Sequence, residues 1–322
     1  MFGDYPQTLP QRISFILLPG FSLLGFSSMV DPLRWANTFN SKQLYRWEII
    51  SVDGAPVASS DQLTILADRA LGELEDTDLA IVCAGFDPQL YLGKTLLAGL
   101  RRLASRGIDM GCQDTGAYLL AAAGLLDNYR TAIHWENLSS FAEEFPKVKV
   151  VNDIFEIDRN RFSCSGGLSG LDMMLYLIQA QHGQNMAMAA SEELIYSHAR
   201  GADHPQRMSV QNRLGISNPK LLSVIKLMQR SLEHNLTIPE LAEEVYISER
   251  ELERLFRKHL SMTPSHFYRD LRLEEARRLL RQTSRSVTNI SVSCGFTSVS
   301  HFSRCYQAKY GTSPSRDRTI KI

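Results

Sequence analysis

Two sets of residues in this chain have the types and spacings that chemistry needs. The first centres on Asp114. It follows a strand expected over Gly107–Cys112 and precedes a helix expected over Thr115–Ala123, TGAYLLAAA, with almost no loop between them. Gly116 allows the close approach that such a turn demands. The arrangement is like a nucleophile elbow, which exposes one side chain at the mouth of a sheet. A carboxylate there can act as a nucleophile or add negative charge for a cation, whereas acyl transfer by a cysteine needs a thiolate that a base can activate. Cys112 lies two positions earlier, still on the strand, where its side chain should be buried. His134 stands twenty positions after Asp114, yet no Ser/His/Asp or Cys/His set emerges. A plainer role for Asp114 is to cap the following helix, since Asp is a favoured N-cap.

The second set is Arg250, Glu253, Arg254 and Arg257, in the stretch YISERELERLFRKHLSMTPS at Tyr246–Ser265. Ser248 is a good N-cap, and Glu251 three residues on is expected to complete a capping box. Leu252, Leu255 and Phe256 share one face at helical spacing, and the charged residues lie on the other. Thr263-Pro264 ends the unit, because proline disfavours helix at the residue before it. The same unit returns at Phe296–Ser315, FTSVSHFSRCYQAKYGTSPS. Ser248 matches Ser298, Leu252 matches Phe302, Arg254 matches Arg304, Phe256 matches Tyr306, and Pro264-Ser265 matches Pro314-Ser315. A short helix precedes each copy, Ile238–Val245 and Ile290–Gly295, with Gly295 at the tight turn. Helix, short turn, helix is the helix-turn-helix arrangement, whose second helix enters the major groove of DNA.

On these residues, positions 218 to 318 resemble the AraC/XylS family of transcription activators, and GFTSVSHFSRCYQAKYGTSPS closely follows that family's signature. The resemblance implies two helix-turn-helix units joined by a long helix, here Pro264–Arg281. At 1.5 Å per residue that helix is roughly 27 Å long, enough to set two recognition helices in successive major grooves about 34 Å apart. By match to the family's base-contacting positions, Arg250, Glu253 and Arg254 face bases in one groove, and Val299, Ser300 and Arg304 in the next. Glu253 either reads cytosine or pairs with a neighbouring arginine. Promoter DNA and RNA polymerase are the partners this implies.

The charge distribution fits. The 322 residues carry no net charge, but residues 218–322 hold 18 Lys+Arg against 11 Asp+Glu, and residues 1–217 hold 17 against 24. The basic part is the one with the doubled motif, as a phosphate-binding surface requires. Five scattered cysteines (83, 112, 164, 294, 305) show no CxxC pair and no zinc spacing, which suits a reducing cytosol. No cofactor or metal motif is present. Met1–Gln11 is polar and lacks the pattern of a signal peptide, and no apolar run approaches a membrane span. A cytoplasmic protein is expected.

The elements that must position Asp114 alternate. Strands are expected at Arg12–Pro19, Trp47–Val52, Leu79–Cys83, Gly107–Cys112, Arg130–Ile133, Val148–Val151, Ile154–Ile157 and Phe162–Cys164, with an edge piece at Asp61–Ile65. Helices are expected at Ser27–Asn40, Leu96–Ser105, Thr115–Ala123, Leu138–Phe145, Gly170–His182 and Met186–His198. This pattern indicates an α/β, flavodoxin-like domain with a mainly parallel sheet over residues 1–198. A polar linker follows at 199–217, and an all-α DNA-binding domain with two helix-turn-helix units occupies 218–322. Ligands of such sheets bind beyond the carboxyl ends of strands. Four ends are visible: Pro19-Gly20-Phe21, Ala84-Gly85-Phe86, Gln113–Gly116 and Ser163–Gly167.

Residues 12–195 resemble the PfpI protease and class I glutamine amidotransferase-like superfamily, through LPGF at Leu18–Phe21, DTGAYLLAAAGLLD at Asp114–Asp127, and His134-Trp135. In that superfamily the elbow carries a cysteine, whose place Asp114 takes here. With the AraC-type part, the chain resembles the GlxA-like subgroup of regulators. That resemblance implies an activator of catabolic genes whose effector is a small nitrogenous metabolite such as an amino acid, glycine betaine or carnitine; a homodimer is expected because closed twofold pairs are the commonest assembly. The pocket is expected to be walled by Phe21, Gly25, Phe26, Gly85, Phe86, Asp114, Thr115, His134 and Trp135. Aromatic faces there would hold a quaternary ammonium by cation–π attraction, although these aromatics could equally be core. The helix start after Asp114 would favour an anionic group. The rival reading is an amidotransferase or peptidase with a DNA-binding appendage.

Overall fold

The computed structural model describes residues Phe2–Thr319 apart from Tyr5, Gln7, Asn235 and Ser284. Met1 and residues 320–322, the outer ends of the two expected domains, lie outside the described residues. The chain forms two compact units, Met1–Gln206 and Arg207–Ile322.

The first unit begins β1 (Gln11–Leu17), α1 (Leu23–Thr38), β2 (Tyr45–Ser51), β3 (Val57–Ala58), β4 (Thr64–Ile65), β5 (Arg69–Ala70), β6 (Leu79–Cys83) and α2 (Lys94–Ser105). It continues with β7 (Asp109–Gln113), α3 (Gly116–Ala122), β8 (Arg130–Ala132), α4 (Leu138–Glu144), β9 (Lys149–Val151), β10 (Phe155–Asp158) and β11 (Arg161–Cys164). It closes with α5 (Ser169–His182) and α6 (Gln184–Glu193). Among the described residues, seven strands make one sheet in the order β10-β11-β7-β6-β1-β2-β5. All its pairs are parallel except β10 with β11. Phe15 and Leu17 face a core shared with Met29 and Leu33 of α1 and Met173 and Leu177 of α5. Ile16 and Val82 face the other core, with Leu100 and Leu103 of α2 and Leu119 of α3. Both faces are covered, which is why FILL (Phe15–Leu18) and LAIVC are continuously apolar rather than alternating.

Of the boundaries that differ from expectation, three are informative. Helix α1 starts four residues before Ser27, because Ser22 caps it: the Ser22 hydroxyl accepts from the Gly25 N–H at 3.1 Å. Gly25 and Phe26 therefore lie in the first turn of a helix rather than in a loop. The Asp61–Ile65 piece shrinks to β4, which pairs with β3 in a two-stranded ribbon apart from the main sheet. Helix α6 stops at Glu193 instead of His198, with Ile195 in the left-handed region at φ 52°.

The polar stretch 199–217 is not a free linker. Arg200 is paired with the buried carboxylate of Asp172 at 2.7 Å. The Ile154 N–H donates to the Ala202 carbonyl, and the Gln206 amide donates to the carbonyls of Ile133 and Asp153. These groups finish the first unit. Ser209 then caps α7 (Val210–Leu214), and Val210 and Ile216 enter the core of the second unit. Composition alone reads such a stretch as solvent-facing, but its polar groups satisfy a buried charge and backbone carbonyls.

The second unit continues with α8 (Pro219–Arg230), α9 (Ile238–Glu244), α10 (Glu249–Leu260), α11 (Pro264–Gln282), α12 (Val287–Ser293), α13 (Val299–Tyr310) and α14 (Pro314–Thr319). Leu252, Leu255 and Phe256 of α10 are buried with Leu221, Ile225 and Leu241. Each such side chain contributes about 1.5–3 kcal/mol by leaving water. Phe302 and Tyr306 of α13 are buried in a separate core with Ile290 and Cys294. Helix α11 serves both: Phe267, Tyr268 and Leu271 pack into the first, and Leu273, Ala276, Leu279 and Leu280 into the second.

Candidate effector site and DNA-recognition surface

At the carboxyl edge of the sheet, β7 turns into α3 through Asp114, whose φ of 56° is left-handed. A non-glycine residue there is strained, and such strain gathers at functional positions. Gly116 is required: a Cβ on it would lie 2.3 Å from the Val82 carbonyl oxygen of β6. Thr115, not Asp114, is the N-cap of α3, and no side-chain cap bond forms. The capping role expected for Asp114 is therefore absent. The Thr115 backbone instead favours the charged form of the Asp114 carboxyl. The helix start expected to attract a ligand anion already faces the protein's own acid.

The neighbouring strand ends converge on this turn. The Asp114 N–H donates to the Cys164 carbonyl at 2.9 Å, and a Cβ on Gly166 would lie 3.0 Å from Asp114 Oδ2. The Thr115 hydroxyl donates to the Gly85 carbonyl. Gly85 in turn lies against the Gly20 carbonyl, 2.0 Å from where its Cβ would be, and bridges Phe21. Burial, repulsion by the Glu136 carboxylate and a bond from Thr115 that opposes them leave the Asp114 carboxyl at about 7. It is thus poised between acid and carboxylate at neutral pH. His134 is pushed below the ordinary imidazole value by burial, against the pull of Glu136. Its Nδ1 accepts from the Glu136 N–H at 3.4 Å, and its ring lies 5.4 Å from that of Trp135.

The aromatics divide. Phe21 and Phe26 are buried core, edge-packed at 5.9 Å on each other, with Phe26 at 5.3 Å from Phe15. They do not present faces to a cation, because α1 begins early and folds Phe26 inward. Phe86 is 61 % exposed. The cage of aromatic faces expected there is not assembled. Sequence reasoning missed Glu136 and Gly166. Glu136 stands two positions after His134, and Gly166 lies in one of the four strand ends, so both had a positional signal. The thiol of Cys112 is buried as expected and pushed well above its usual value by desolvation, as are those of Cys83 and Cys164.

On the second unit, Ser248 and Ser298 both cap their helices, accepting from the N–H of Glu251 and of His301. The capping box at Ser248 is only half made. Glu251 turns away to accept two bonds from Arg254, at 2.8 and 2.7 Å. A complete box forms instead at Thr237 and Glu240, at the start of α9. Arg250, Arg254 and Arg257 are exposed on α10, and Glu253 accepts from Arg257 at 3.2 Å. Val299, Ser300 and Arg304 are exposed on α13. Each set therefore shares one outward surface. Among the described residues no helix is long and apolar enough to cross a membrane.

The helix-turn-helix domain family matches residues 241–320. The transcriptional regulator CdhR of Pseudomonas aeruginosa is 46 % identical over 312 residues, which is 97 % of this chain and 93 % of CdhR. GlxA of Rhizobium meliloti, also an HTH-type transcriptional regulator, is 35 % identical over 94 % of each chain. A solved AraC family transcriptional regulator from Pseudomonas putida is 30 % identical, with a TM-score of 0.52 over 57 % of this chain and all of that one. A ThiJ/PfpI family protein from Pseudomonas syringae has a TM-score of 0.54 at 20 % identity, over 70 % of this chain and 89 % of its own, a likeness of fold. The likeness to the two regulators runs the length of the chain, through the α/β unit as well as the helical one. The chain is therefore a transcriptional regulator rather than an enzyme: it belongs to the AraC-family regulators, in the GlxA-like group, with a first unit of the PfpI fold and a second that carries two helix-turn-helix motifs.

Proposed function

We propose that the first unit senses a small nitrogenous effector, an amine or amino-acid derivative, and that the protein activates catabolic genes in response. The observation that carries this reading is Asp114. The fold keeps a strained, half-buried acid where the amidotransferase-like superfamily has its nucleophile, and surrounds it with Gly85, Thr115, His134 and Trp135 from other strand ends. An elbow retained without an ionisable thiol serves binding rather than acyl transfer. Promoter DNA is read by Arg250, Glu253 and Arg254 in one groove and by Val299, Ser300 and Arg304 in the next, with Arg257 beside the first set. The protein works in the cytoplasm as a homodimer, since twofold pairing places two DNA-binding units on one promoter, and recruits RNA polymerase there.

A thermal-shift screen of the full chain against amino acids, glycine betaine and carnitine tests the sensor role. A ligand that binds only the folded state must raise its stability by mass action. Trp135→Ala and Asp114→Asn are each expected to weaken the effector found, measured by calorimetry. Unchanged affinity in both would place the ligand elsewhere. A monomeric mass by light scattering, with and without DNA, would remove the dimer.

A further inference from the structure

The least explained group in the first unit is Gln113, the last residue of β7. Its register neighbours are Cys83 on β6 and Cys164 on β11, and all three side chains are fully buried. They lie on the face covered by α1 and α5, among Phe15, Phe21 and Phe26. The amide is pressed against the first turn of α1, where a Cβ on Gly25 would lie 2.4 Å from Nε2. Among the described residues, neither Nε2 nor Oε1 has a hydrogen-bond partner. The nearby Ser28 hydroxyl is already committed to the carbonyls of Gly25, at 2.8 Å, and Gly167, at 3.1 Å. A buried amide with both ends unsatisfied costs free energy that an apolar side chain of the same size would not, and it calls for an explanation.

We infer that Gln113 is a specificity-determining residue of the effector site: its carboxamide receives the head group of a small acid whose carboxylate stands beside a hydrogen-bond donor, either an ammonium or a hydroxyl. This rests on the sheet-edge reading above and names the chemistry that the edge selects. An amide offers donors at Nε2 and an acceptor at Oε1. A carboxylate alone satisfies only the first and leaves Oε1 buried without a partner. A trimethylammonium has no N–H to give, and no cage of aromatic faces stands ready to hold it, since Phe21 and Phe26 are packed edge-on in the core. The adjoining Asp114 continues the polar edge, and the cysteines beside the amide are held neutral by burial.

The test uses the full-length protein and three probes: glycine, 3-hydroxybutyrate and trimethylglycine. Calorimetry is expected to show glycine or 3-hydroxybutyrate binding the unmodified protein at least tenfold tighter than trimethylglycine. Gln113→Leu should lose at least tenfold in that affinity, while the melting temperature without ligand stays level or rises. A structural glutamine would behave oppositely, so a fall of several degrees overturns the assignment. It also falls if trimethylglycine binds as tightly as the others, or if none of the three binds. If Asp114→Asn weakens binding and Gln113→Leu does not, only the role of Gln113 is lost. If both variants keep full affinity, the sheet-edge reading itself fails.

Discussion

The two helix-turn-helix copies share a backbone plan and differ in what stabilises it. In both, the residue that closes the first helix is left-handed: Tyr246 at φ 56° after α9 and Gly295 at φ 72° after α12. In both, the next N–H reaches back five residues, from Ile247 to Ala242 and from Phe296 to Ser291. The second turn then holds one residue more, Thr297, before its cap. At Gly295 a Cβ would meet the Leu232 carbonyl oxygen at 2.5 Å, whereas Tyr246 is 93 % exposed. The first copy keeps its charges on the surface, in the pairs Glu251–Arg254 and Glu253–Arg257. The second buries one. The Asp317 carboxylate takes hydrogen bonds from Arg277 and Arg281 of α11 and from Tyr306 of α13. One motif can thus be held by exchangeable surface charge or by a buried clamp. Only the first kind is free to be traded for phosphates and bases.

The largest expected effect tests the clamp. Asp317→Ala leaves two arginines and a tyrosine without their acceptor and should cost about 3–5 kcal/mol of stability in the second unit, as breaking buried pairs does. A denaturant midpoint checks this. The acid response should change as well. Burial raises the Asp317 carboxyl, but the bonds from Tyr306, Arg281 and Arg277 outweigh it and hold the group below its ordinary value. A depressed folded value stabilises fully above the unfolded value near 4 and is lost as pH falls through the folded one. The variant should therefore show a flatter acid limb.

Next comes the DNA surface. Arg254→Ala and Arg304→Ala should each cost about 1–3 kcal/mol of specific binding if each makes a bidentate base contact. Titrations with the promoter would show this, and undiminished binding in both would remove the proposed register. The two turns give a smaller contrast. Gly295→Ala should lose about 1–3 kcal/mol through strain and the clash with the Leu232 carbonyl, while Tyr246→Ala, already strained and exposed, should stay within about 0.5 kcal/mol. Equal losses would mean that the turns are equivalent. The smallest effect is at Glu251. Exposed ion pairs contribute little to stability, so Glu251→Gln should barely move stability yet tighten DNA binding by freeing Arg254. A weaker complex would show that Glu251 orients Arg254 for its base.

The elements and their repeat were legible along the chain. Periodicity is local, so the alternation of strands and helices, the doubled unit from Ser248 to Ser315 and the elbow at Asp114 were all legible, as was the need for Gly116. The family was legible too, because the signature at Gly295–Ser315 is contiguous. The remaining features depend on groups distant in sequence that folding brings together. Arg200 reads as linker until it meets Asp172, and Asp317 reads as a surface acid until Arg277, Arg281 and Tyr306 close on it. Phe21 and Phe26 read as pocket walls until an early cap at Ser22 turns them into the core. The polarity of the sheet edge was decided in the same way. Whether Asp114 titrates near 7, and whether the amide of Gln113 finds a partner, depends on how much water the surrounding loops exclude, and that is a property of packing rather than of order along the chain.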